Sequence, residues 1–500
     1  MRLSRILPSL TLAIAGLAVT VAPGIAAAET LSAEEAVRRA AAQNPGLKGA
    51  ILDTQAARQA VEAEEGARDP VFSASITGNY TESAGTTAAG DSVMTNEKGL
   101  AAKAALRYTT DVGTQLEVGT SGDASWRSGA SPSLTNEPTY TALAYLSARQ
   151  PLLRGAGTDA NLAPQVQAEA AATAAELEER ATASATALEV LNAYWELWYA
   201  DEALGVQEAA LETATKQLAD ARARQEELGT ASKVDVLQFQ SNLASIKDAL
   251  SQAETNRSSR AIELGRVLGM QPSAARSLDA SGDLPAFGAL RGADDLVRRA
   301  EERSHELAAL RANLDASRSR VSSAEDADQV RLDLFTTVSA GMIWADRDTT
   351  GVGLLGGRPA FSVVGGIELE LPVGGGRASA DAARARTQLE AAETRYQERA
   401  LAITSEVGTL HGSVAAARAQ VDLAAETARV AAELAEAERQ RLILGTTTSS
   451  EVVKAEQSLR EAELRRLRAE VNAVTTRYRL ENATGDLISR FGDVLRRRAS

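Results

Sequence analysis

Side chains that commonly carry out catalysis or bind metals are scarce in this 500-residue sequence. It contains two histidines, His305 and His411, and no cysteine. The absence of thiols excludes disulfides, thiolate metal sites and iron–sulfur clusters. Neither histidine has a companion at ligand spacing or a matching nucleophile motif, which argues against a metal site or a Ser-His-Asp triad. We therefore expect no enzymatic activity, no bound metal and no cofactor.

One glycine pattern could suggest a nucleotide site. Residues 351–356 read Gly-Val-Gly-Leu-Leu-Gly, which matches G-x-G-x-x-G. No β-α-β pattern accompanies it, and dinucleotide binding needs that context. We interpret the segment as a loop between strands.

A short tripeptide occurs twice and marks two sharp breaks between helices. The copies are Leu228, Gly229, Thr230 and Leu444, Gly445, Thr446. Glycine readily adopts the left-handed conformation that ends a helix, so we expect each glycine to lie just past a helix end.

An acidic residue follows each tripeptide where a new helix begins. Asp235 and Glu451 each lie seven residues after the leucine of the tripeptide. Lys454, three residues after Glu451, could pair with it on one helical face. The alternative is that these are ordinary solvated helix charges, which contribute little to stability.

Charge and composition narrow the class of protein. There are 53 Lys and Arg against 67 Asp and Glu, a net charge of −14. Excess negative charge repels phosphate backbones, so nucleic acid is not an expected partner. Because 44% of residues are apolar and 24% are charged, the chain should fold rather than remain disordered.

The N-terminus resembles an export signal. Arg2 and Arg5 precede an apolar run from Leu10 to Ala22, and small residues follow up to Ala28. We expect residues 1–28 to be removed after Ala28. No later run is long and apolar enough for a membrane-spanning helix.

Two tracts have the composition of very long helices. Residues 162–228 and 378–444 are rich in Ala, Glu, Arg, Gln and Leu, and each allows roughly 100 Å of helix. In the first tract, apolar residues recur in steps of three and four, which predicts one buried face. These residues are Ala185, Leu188, Leu191, Trp195 and Trp198. Helices of this length are expected to pack as coiled coils.

Two further tracts, 70–153 and 330–376, have the period of β-strands. Phe72, Ile76 and Tyr80 alternate with polar residues, and Phe361 to Leu371 follows the same pattern. Such alternation fits lipid-facing barrel strands, but a soluble sheet with one face on a core gives the same pattern. Glu368 and Glu370 lie on the polar side, where they would face either a lumen or an external aqueous surface.

The chain is internally duplicated, which sets its domain organisation. Residues 34–40 recur at 294–300, and residues 228–243 recur at 444–459. We place the first repeat at 29–270, a linker at 271–292, the second repeat at 293–492 and a C-terminal tail at 493–500. Each repeat runs helix, strands, long helix, Leu-Gly-Thr break, helix.

The order of these elements resembles the TolC family of outer-membrane efflux proteins. The residues that carry the resemblance are Ala36-Val37 to Asn44-Pro45-x-Leu47 in the first helix, Gln150 to Gly155 and Leu371 to Gly376 at the strand-to-helix corners, and the two Leu-Gly-Thr breaks. The similarity covers nearly the whole mature chain.

The resemblance implies a mainly α fold with a membrane β-barrel. Three copies would pool their strands into one barrel in outer-membrane lipid, and their helices would form a tunnel through the periplasm. By the same resemblance, Asp235, Glu451 and Lys454 would lie at the periplasmic entrance. The Leu-Gly-Thr tips would dock an adaptor that links the duct to an inner-membrane transporter.

The number of strands is left open by the sequence. Family members usually contribute four strands per subunit, but the tract 70–153 could hold two strands or four. We interpret the additional length of this tract as an extra hairpin on the extracellular side or at the rim.

The predicted function is a passive exit duct for efflux or type I secretion. The alternative is a periplasmic coiled-coil spacer. A duct requires an apolar face on every strand, whereas a spacer does not.

Overall fold

The computed structural model describes residues 29–86, 90, 92–129, 138–226, 232–345, 358–371 and 376–496. Several predictions fall outside this part of the chain. They concern the export signal (1–28), the first tripeptide (Leu228, Gly229, Thr230), the glycine-rich loop (351–356), the corner residues 372–375 and the end of the tail (497–500).

The described residues form eleven helices and eight strands. In chain order these are β1 (Glu29–Leu31), α1 (Ala33–Gln43), α2 (Pro45–Gly66), β2 (Val71–Thr86), β3 (Ser92–Thr109), β4 (Gln115–Gly129), β5 (Pro138–Pro151), α3 (Thr158–Asn161), α4 (Ala163–Glu226), α5 (Lys233–Val267), α6 (Pro272–Ala275), β6 (Leu278–Ala280), α7 (Ala293–Arg303), α8 (His305–Ala327), β7 (Arg331–Ala345), β8 (Arg358–Glu370), α9 (Arg377–Ile443), α10 (Ser449–Ala483) and α11 (Asp486–Arg496). Within this part of the chain, no helix is both long and apolar enough to cross a membrane.

The two long helices confirm the predicted tracts. Helix α4 has 64 residues and α9 has 67, so each is about 100 Å long at 1.5 Å per residue. Each packs against the 35-residue helix that follows it, α5 or α10. Helix α4 also contacts α10, which joins the two repeats side by side.

The largest apolar core lies around the middle of α4. Leu191, Trp195 and Trp198 are buried and Leu188 is half-buried, as the periodicity of the sequence predicts, but Ala185 at the end of that stripe is exposed. They pack with Leu264 of α5 and Tyr478 of α10, so both repeats contribute to one core. Burial in a low-dielectric interior raises the pKa of Tyr194 in this cluster to about 12.

The segment between the repeats is folded onto this core. Strand β6 pairs in parallel with β1, so residues 278–280 and 29–31 form a two-stranded sheet. The hydroxyl of Tyr194 donates to the backbone carbonyl of Ser281 at 2.8 Å. Arg257 of α5 donates to the carbonyl of Leu278 at 2.9 Å. These contacts hold residues 271–292 against the first repeat, and Phe287 packs edge to face with Tyr478 of α10 in the second.

All long strands belong to one antiparallel sheet of order β2-β3-β4-β5-β7-β8. The tract 70–153 forms four strands, and the second tract contributes two. The interpretation of an extra hairpin outside the sheet is therefore wrong, because β3 pairs with β2 and β4 along nearly its whole length. The backbone N–H and C=O groups of β3 are hydrogen-bonded in these two ladders. In a separate hairpin at the rim, the outer edge of each strand would remain unpaired.

The turn between β3 and β4 packs against the corner where β5 leads into the helices. Gly113 has φ +88°, and the backbone amide of Gly157 donates to the carbonyl of Val112 at 3.2 Å. A Cβ on Gly113 would collide with the carbonyl of Gly155 and would lie 2.9 Å from Pro151. The glycine is therefore required both by the backbone conformation and by the close contact.

Gly113→Ala should destabilise this turn more than Gly157→Ala does. Gly157 also has φ +88°, but a Cβ there would meet nothing within 4 Å. Gly157→Ala thus reports the cost of its backbone conformation alone (φ +88°, ψ 170°), about 1–3 kcal/mol, whereas Gly113→Ala adds a clash with backbone. The midpoint of chemical unfolding measures both variants. Equal losses would show that the turn is not tightly packed against the corner.

Candidate channel lining and tunnel entrance

The six-stranded sheet has one apolar face that crosses every strand. Directly paired residues of antiparallel strands lie on the same face. The register therefore places one row across the whole sheet: Phe72, Leu106, Val118, Leu146, Val338 and Val363. Ile76 is 78% exposed and Phe361 73% exposed on this face in the single chain. A contiguous apolar surface of this size requires a lipid or protein covering.

Aromatic residues border the apolar face at both ends. Phe72 lies near the helical end, and Tyr80, Trp126 and Tyr140 lie near the far end. Eight residues separate Phe72 from Tyr80, which is about 26 Å along a strand. Aromatic side chains that border an apolar band of about 25 Å are typical of outer-membrane strands.

The opposite face is polar and carries paired charges. Glu117 accepts from Arg107 at 2.7 Å, from Lys103 at 3.2 Å and from the hydroxyl of Tyr145 at 2.7 Å. Glu97 and Arg127 pair at 3.3 Å farther from the helices. The alternation predicted from the sequence is therefore observed on both sides of the sheet.

Glu368 and Glu370 lie in a network of ion pairs at the helical end of this polar face. Glu368 accepts from Arg149 at 2.6 Å, and Glu370 accepts from Arg331 at 3.4 Å. Asp333 lies between them, with its side chain 3% exposed, and accepts from Arg149 and Arg331 at 2.9 Å each. The two glutamates are therefore neutralised by arginines of their own chain.

Asp235 lies at the opposite end of the helices and joins the starts of α5 and α10. Its carboxylate accepts from the hydroxyl of Ser449 at 2.6 Å and from the backbone amide of Ser232 at 3.0 Å. The side chain of Ser232 in turn accepts from the amide of Asp235, which completes a capping box. Hydrogen bonds from Ser449 and then Ser232 lower the pKa of Asp235. Asp235 therefore stabilises the helical tip as an anion.

Asp235→Ala should loosen the tip, and low pH should do the same to the unaltered protein. Because the folded pKa is lowered, the carboxylate stabilises the tip above its unfolded pKa of about 3.9. That contribution is lost as pH falls through the folded pKa. Amide hydrogen exchange of residues 232–243 and 449–459 should accelerate in Asp235→Ala, and its pH dependence should be reduced.

Glu451→Ala is the matched control for Asp235→Ala, because Glu451 occupies the equivalent position of α10. Its carboxylate pairs with Lys454 of the same helix at 3.0 Å, and both side chains are more than half exposed. This is the predicted pair on one helical face, and an exposed pair of this kind adds little stability. Equal acceleration of exchange in the two variants would contradict the bridging role of Asp235.

The second Leu-Gly-Thr tripeptide ends α9 as predicted. Gly445 has φ +73°, and the amide of Thr446 donates to the carbonyl of Arg441 at 2.9 Å. The amide of Gly445 also donates to the carbonyl of Leu442 at 3.1 Å, which completes a Schellman motif. Leu444 is 75% exposed. The tip therefore presents an apolar residue on a rigid turn.

Two tip residues that the sequence analysis did not single out hold the helices together. Ser449 is 4% exposed and Glu456 is 8% exposed. Glu456 accepts from Arg439 of α9 at 2.8 Å and also from Gln217 of α4. The sequence signal for this contact was the spacing of Glu456, which lies three and four residues after Val453 and Val452 and so shares their helical face.

The described residues show no cluster of three or more His, Asp or Glu side chains able to hold a metal ion. His411 lies 3.1 Å, by its Nε2 atom, from the carbonyl of Arg291. Burial lowers the pKa of His305, which favours its neutral form. Both histidines are partly exposed, at the start of α8 and in the middle of α9.

The comparisons with known proteins agree with this architecture. The family model for outer membrane efflux proteins matches residues 36–270 and 296–486. Among curated proteins no sequence matches significantly.

Several solved structures have a similar fold. A membrane protein from Pseudomonas aeruginosa is 19% identical, with a TM-score of 0.65 and coverage of 91% of this chain and 90% of that one. The CmeC outer membrane channel of Campylobacter jejuni is 14% identical, with a TM-score of 0.66 and coverage of 93% and 89%. The outer membrane protein VceC of Vibrio cholerae is 18% identical, with a TM-score of 0.64 and coverage of 91% and 96%.

The family match spans most of the chain, and the fold agrees with that of known outer-membrane channels. The resemblance seen in the sequence is thereby confirmed. The chain belongs to the outer membrane efflux protein family and is a passive channel, not an enzyme, located in the outer membrane and extending into the periplasm.

Proposed function

We propose that three copies of this chain form an exit duct for efflux or type I secretion, driven by an inner-membrane pump through a periplasmic adaptor. The observation that carries the proposal is the two-faced sheet at one end of helices about 100 Å long. Three sheets would close a barrel in lipid, with the polar faces lining its lumen. The helices would enclose the periplasmic part of the duct.

Trimer formation would also cover apolar side chains on the outside of the helices. Leu423, Val430 and Leu434 of α9 are 70%, 49% and 50% exposed in the single chain. They lie seven and four residues apart, so they occupy one face of the helix. Within the described part of the chain, α9 packs on α7, α8 and α10. This free face suits helix packing between subunits.

The alternative of a periplasmic spacer does not account for the sheet. The row from Phe72 to Val363 shows that all six strands present apolar side chains on the same face. A spacer in water would expose this face at a high cost in free energy. Insertion in lipid removes that cost.

Asp235, Glu451 and Lys454 are proposed to surround the periplasmic entrance. Three copies of two acids and one lysine would leave an excess of negative charge there, which favours cations. Asp235 is engaged with Ser449, and Glu451 with Lys454. The double variant Asp235→Ala, Glu451→Ala should therefore reduce cation selectivity in single-channel recordings. Unchanged conductance and selectivity would contradict this role.

The Leu-Gly-Thr tips are proposed to dock the adaptor. Leu444 is exposed, Gly445 fixes the turn, and Thr446 follows it at the end of the helix pair. Leu228, Gly229 and Thr230 are assigned the same role by the internal repeat.

Site-specific crosslinking tests the adaptor-driven part of the proposal. A Thr446→Cys variant should trap the adaptor in cells that export substrate. Thr387→Cys is the matched control, because Thr387 is exposed on the same helix near the sheet. Export without any crosslink at Thr446 or Thr230, or equal crosslinking at Thr387, would contradict docking at the tips.

A further inference from the structure

The hairpin β3–β4 is an insertion within the outer loop of a simpler sheet. In the second repeat, β7 follows α8 and β8 leads to α9; in the first, β2 follows α2 and β5 leads to the helix α4. Strands β2 and β5 thus correspond to β7 and β8. The tract 70–153 is 37 residues longer than 330–376, and residues 92–129, which contain the hairpin, number 38. The insertion accounts for the difference in length.

The inserted strands are integral parts of the sheet. Beyond their ladders with β2 and β5, their turn is fixed to the strand-to-helix corner. The hydroxyl of Thr114 donates to the side chain of Gln150, and Asp111 lies 3.7 Å from Arg68, in the turn between α2 and β2. Their apolar side chains, Leu106 and Val118, continue the same row as β2 and β5. A hairpin in this position adds two strands to the wall.

The two outer strands of the sheet are suited to pair with neighbouring copies. Strand β2 has 16 residues, all exposed, and β8 has 13. Six alternating strands leave β2 and β8 running in opposite directions, so β8 of one copy can pair antiparallel with β2 of the next. Both edges keep apolar residues on the same face, such as Ile76 and Phe361. Unpaired edges are not tolerated in lipid.

We propose that the barrel of this protein has eighteen strands, six from each of three copies, and is wider than a barrel with four strands per copy. The inference rests on the proposed trimer. Barrel diameter grows roughly linearly with strand number. With strands about 4.8 Å apart and tilted about 40°, the backbone diameter is about 36 Å, against about 24 Å for twelve strands.

In the wider barrel, the polar faces of the sheets surround a lumen that admits bulky hydrophilic cargo. Barrels of 16–18 strands leave an aqueous channel after their side chains are placed. The paired charges of Arg107, Glu117, Arg149 and Glu368 therefore line a wide passage. The outer opening then does not limit the size of cargo, and any restriction lies at the helical end.

Cryo-electron microscopy of the full mature protein in lipid nanodiscs tests the proposal. Eighteen strands in a threefold barrel about 36 Å across are expected. A threefold particle with twelve strands in the wall would overturn the inference but retain the proposed trimeric duct. A twofold particle, in which two sheets close twelve strands, would overturn both.

A deletion variant provides a second test. Removing residues 92–129 joins the outer loops and leaves β2 beside β5, with their polar residues in the same phase. The variant should form a twelve-strand barrel about two-thirds as wide. An unchanged barrel diameter would contradict the placement of β3 and β4 in the wall. If the variant does not fold, the strand count of the unaltered protein still tests the eighteen-strand proposal.

Discussion

Trp195→Ala should cause the largest loss of stability of any single truncation in the helical region. The side chain is 2% exposed and lies edge to face with Tyr194 and Trp198, at centroid distances of 5.1 and 5.6 Å. Removing a buried tryptophan leaves a cavity and costs about 3–5 kcal/mol. The midpoint of guanidinium unfolding, followed by far-ultraviolet circular dichroism in detergent, should fall accordingly.

Trp195→Phe is the matched control for this truncation. A phenyl ring fills part of the cavity and retains contact with both neighbours, so its loss should be smaller. This core joins α4 to α5 and α10, so loosening it should separate the two repeats. An unfolding midpoint of Trp195→Ala equal to that of the unaltered protein would contradict the packing described above.

Asp333→Asn should change both the stability and the ion selectivity of the channel. The carboxylate is nearly buried and accepts from Arg149 and Arg331. Loss of its charge weakens two hydrogen-bonded ion pairs, although each arginine keeps a glutamate partner. We expect a cost of about 1–3 kcal/mol. The proposed trimer would also lose three negative charges from its lumen, so selectivity should shift towards anions, as reversal potentials in a salt gradient would show.

Glu97→Gln separates these two effects of Asp333→Asn. Glu97 lies on the same polar face and pairs with Arg127, but its side chain is 39% exposed. It should shift selectivity in the same direction with little loss of stability, because exposed pairs contribute little. If neither variant alters the reversal potential, the polar face does not line the conducting path.

The sequence predicts the long helices and the faces of the strands because both depend on simple periodicity. Leu191 and Trp195 follow the helical period, and both are buried. Phe72, Ile76 and Tyr80 follow the period of two, and the register places them on the apolar face. The ends of α4 and α9 are likewise close to the predicted bounds of 162–228 and 378–444.

The strand number was open because the signal at the β3–β4 turn is weak. Val112-Gly113-Thr114 is a plausible turn within a tract that also allows longer strands and a separate hairpin. The close packing of Gly113 against Pro151 and Gly155 fixes the turn at this point, and the tract then forms four strands. Such a contact joins residues about 40 apart, and local sequence patterns do not report it.

Asp235 and Glu451 show a similar limit. Their place at the starts of helices was predicted from the Leu-Gly-Thr breaks, and the Glu451–Lys454 pair from their spacing. The bond between Asp235 and Ser449 was not, because it links two repeats 214 residues apart in sequence. The internal duplication aligns these segments in the sequence, but it does not show which atoms meet.

Single-channel recording of the purified mature protein in a planar lipid bilayer tests the central claim most directly. If the chain is an outer-membrane channel whose polar face lines a continuous lumen, insertion should produce discrete steps of conductance. These steps should favour cations, since acids exceed bases in the protein as a whole. A folded protein that inserts into the bilayer and leaves its conductance at the protein-free level would contradict the account.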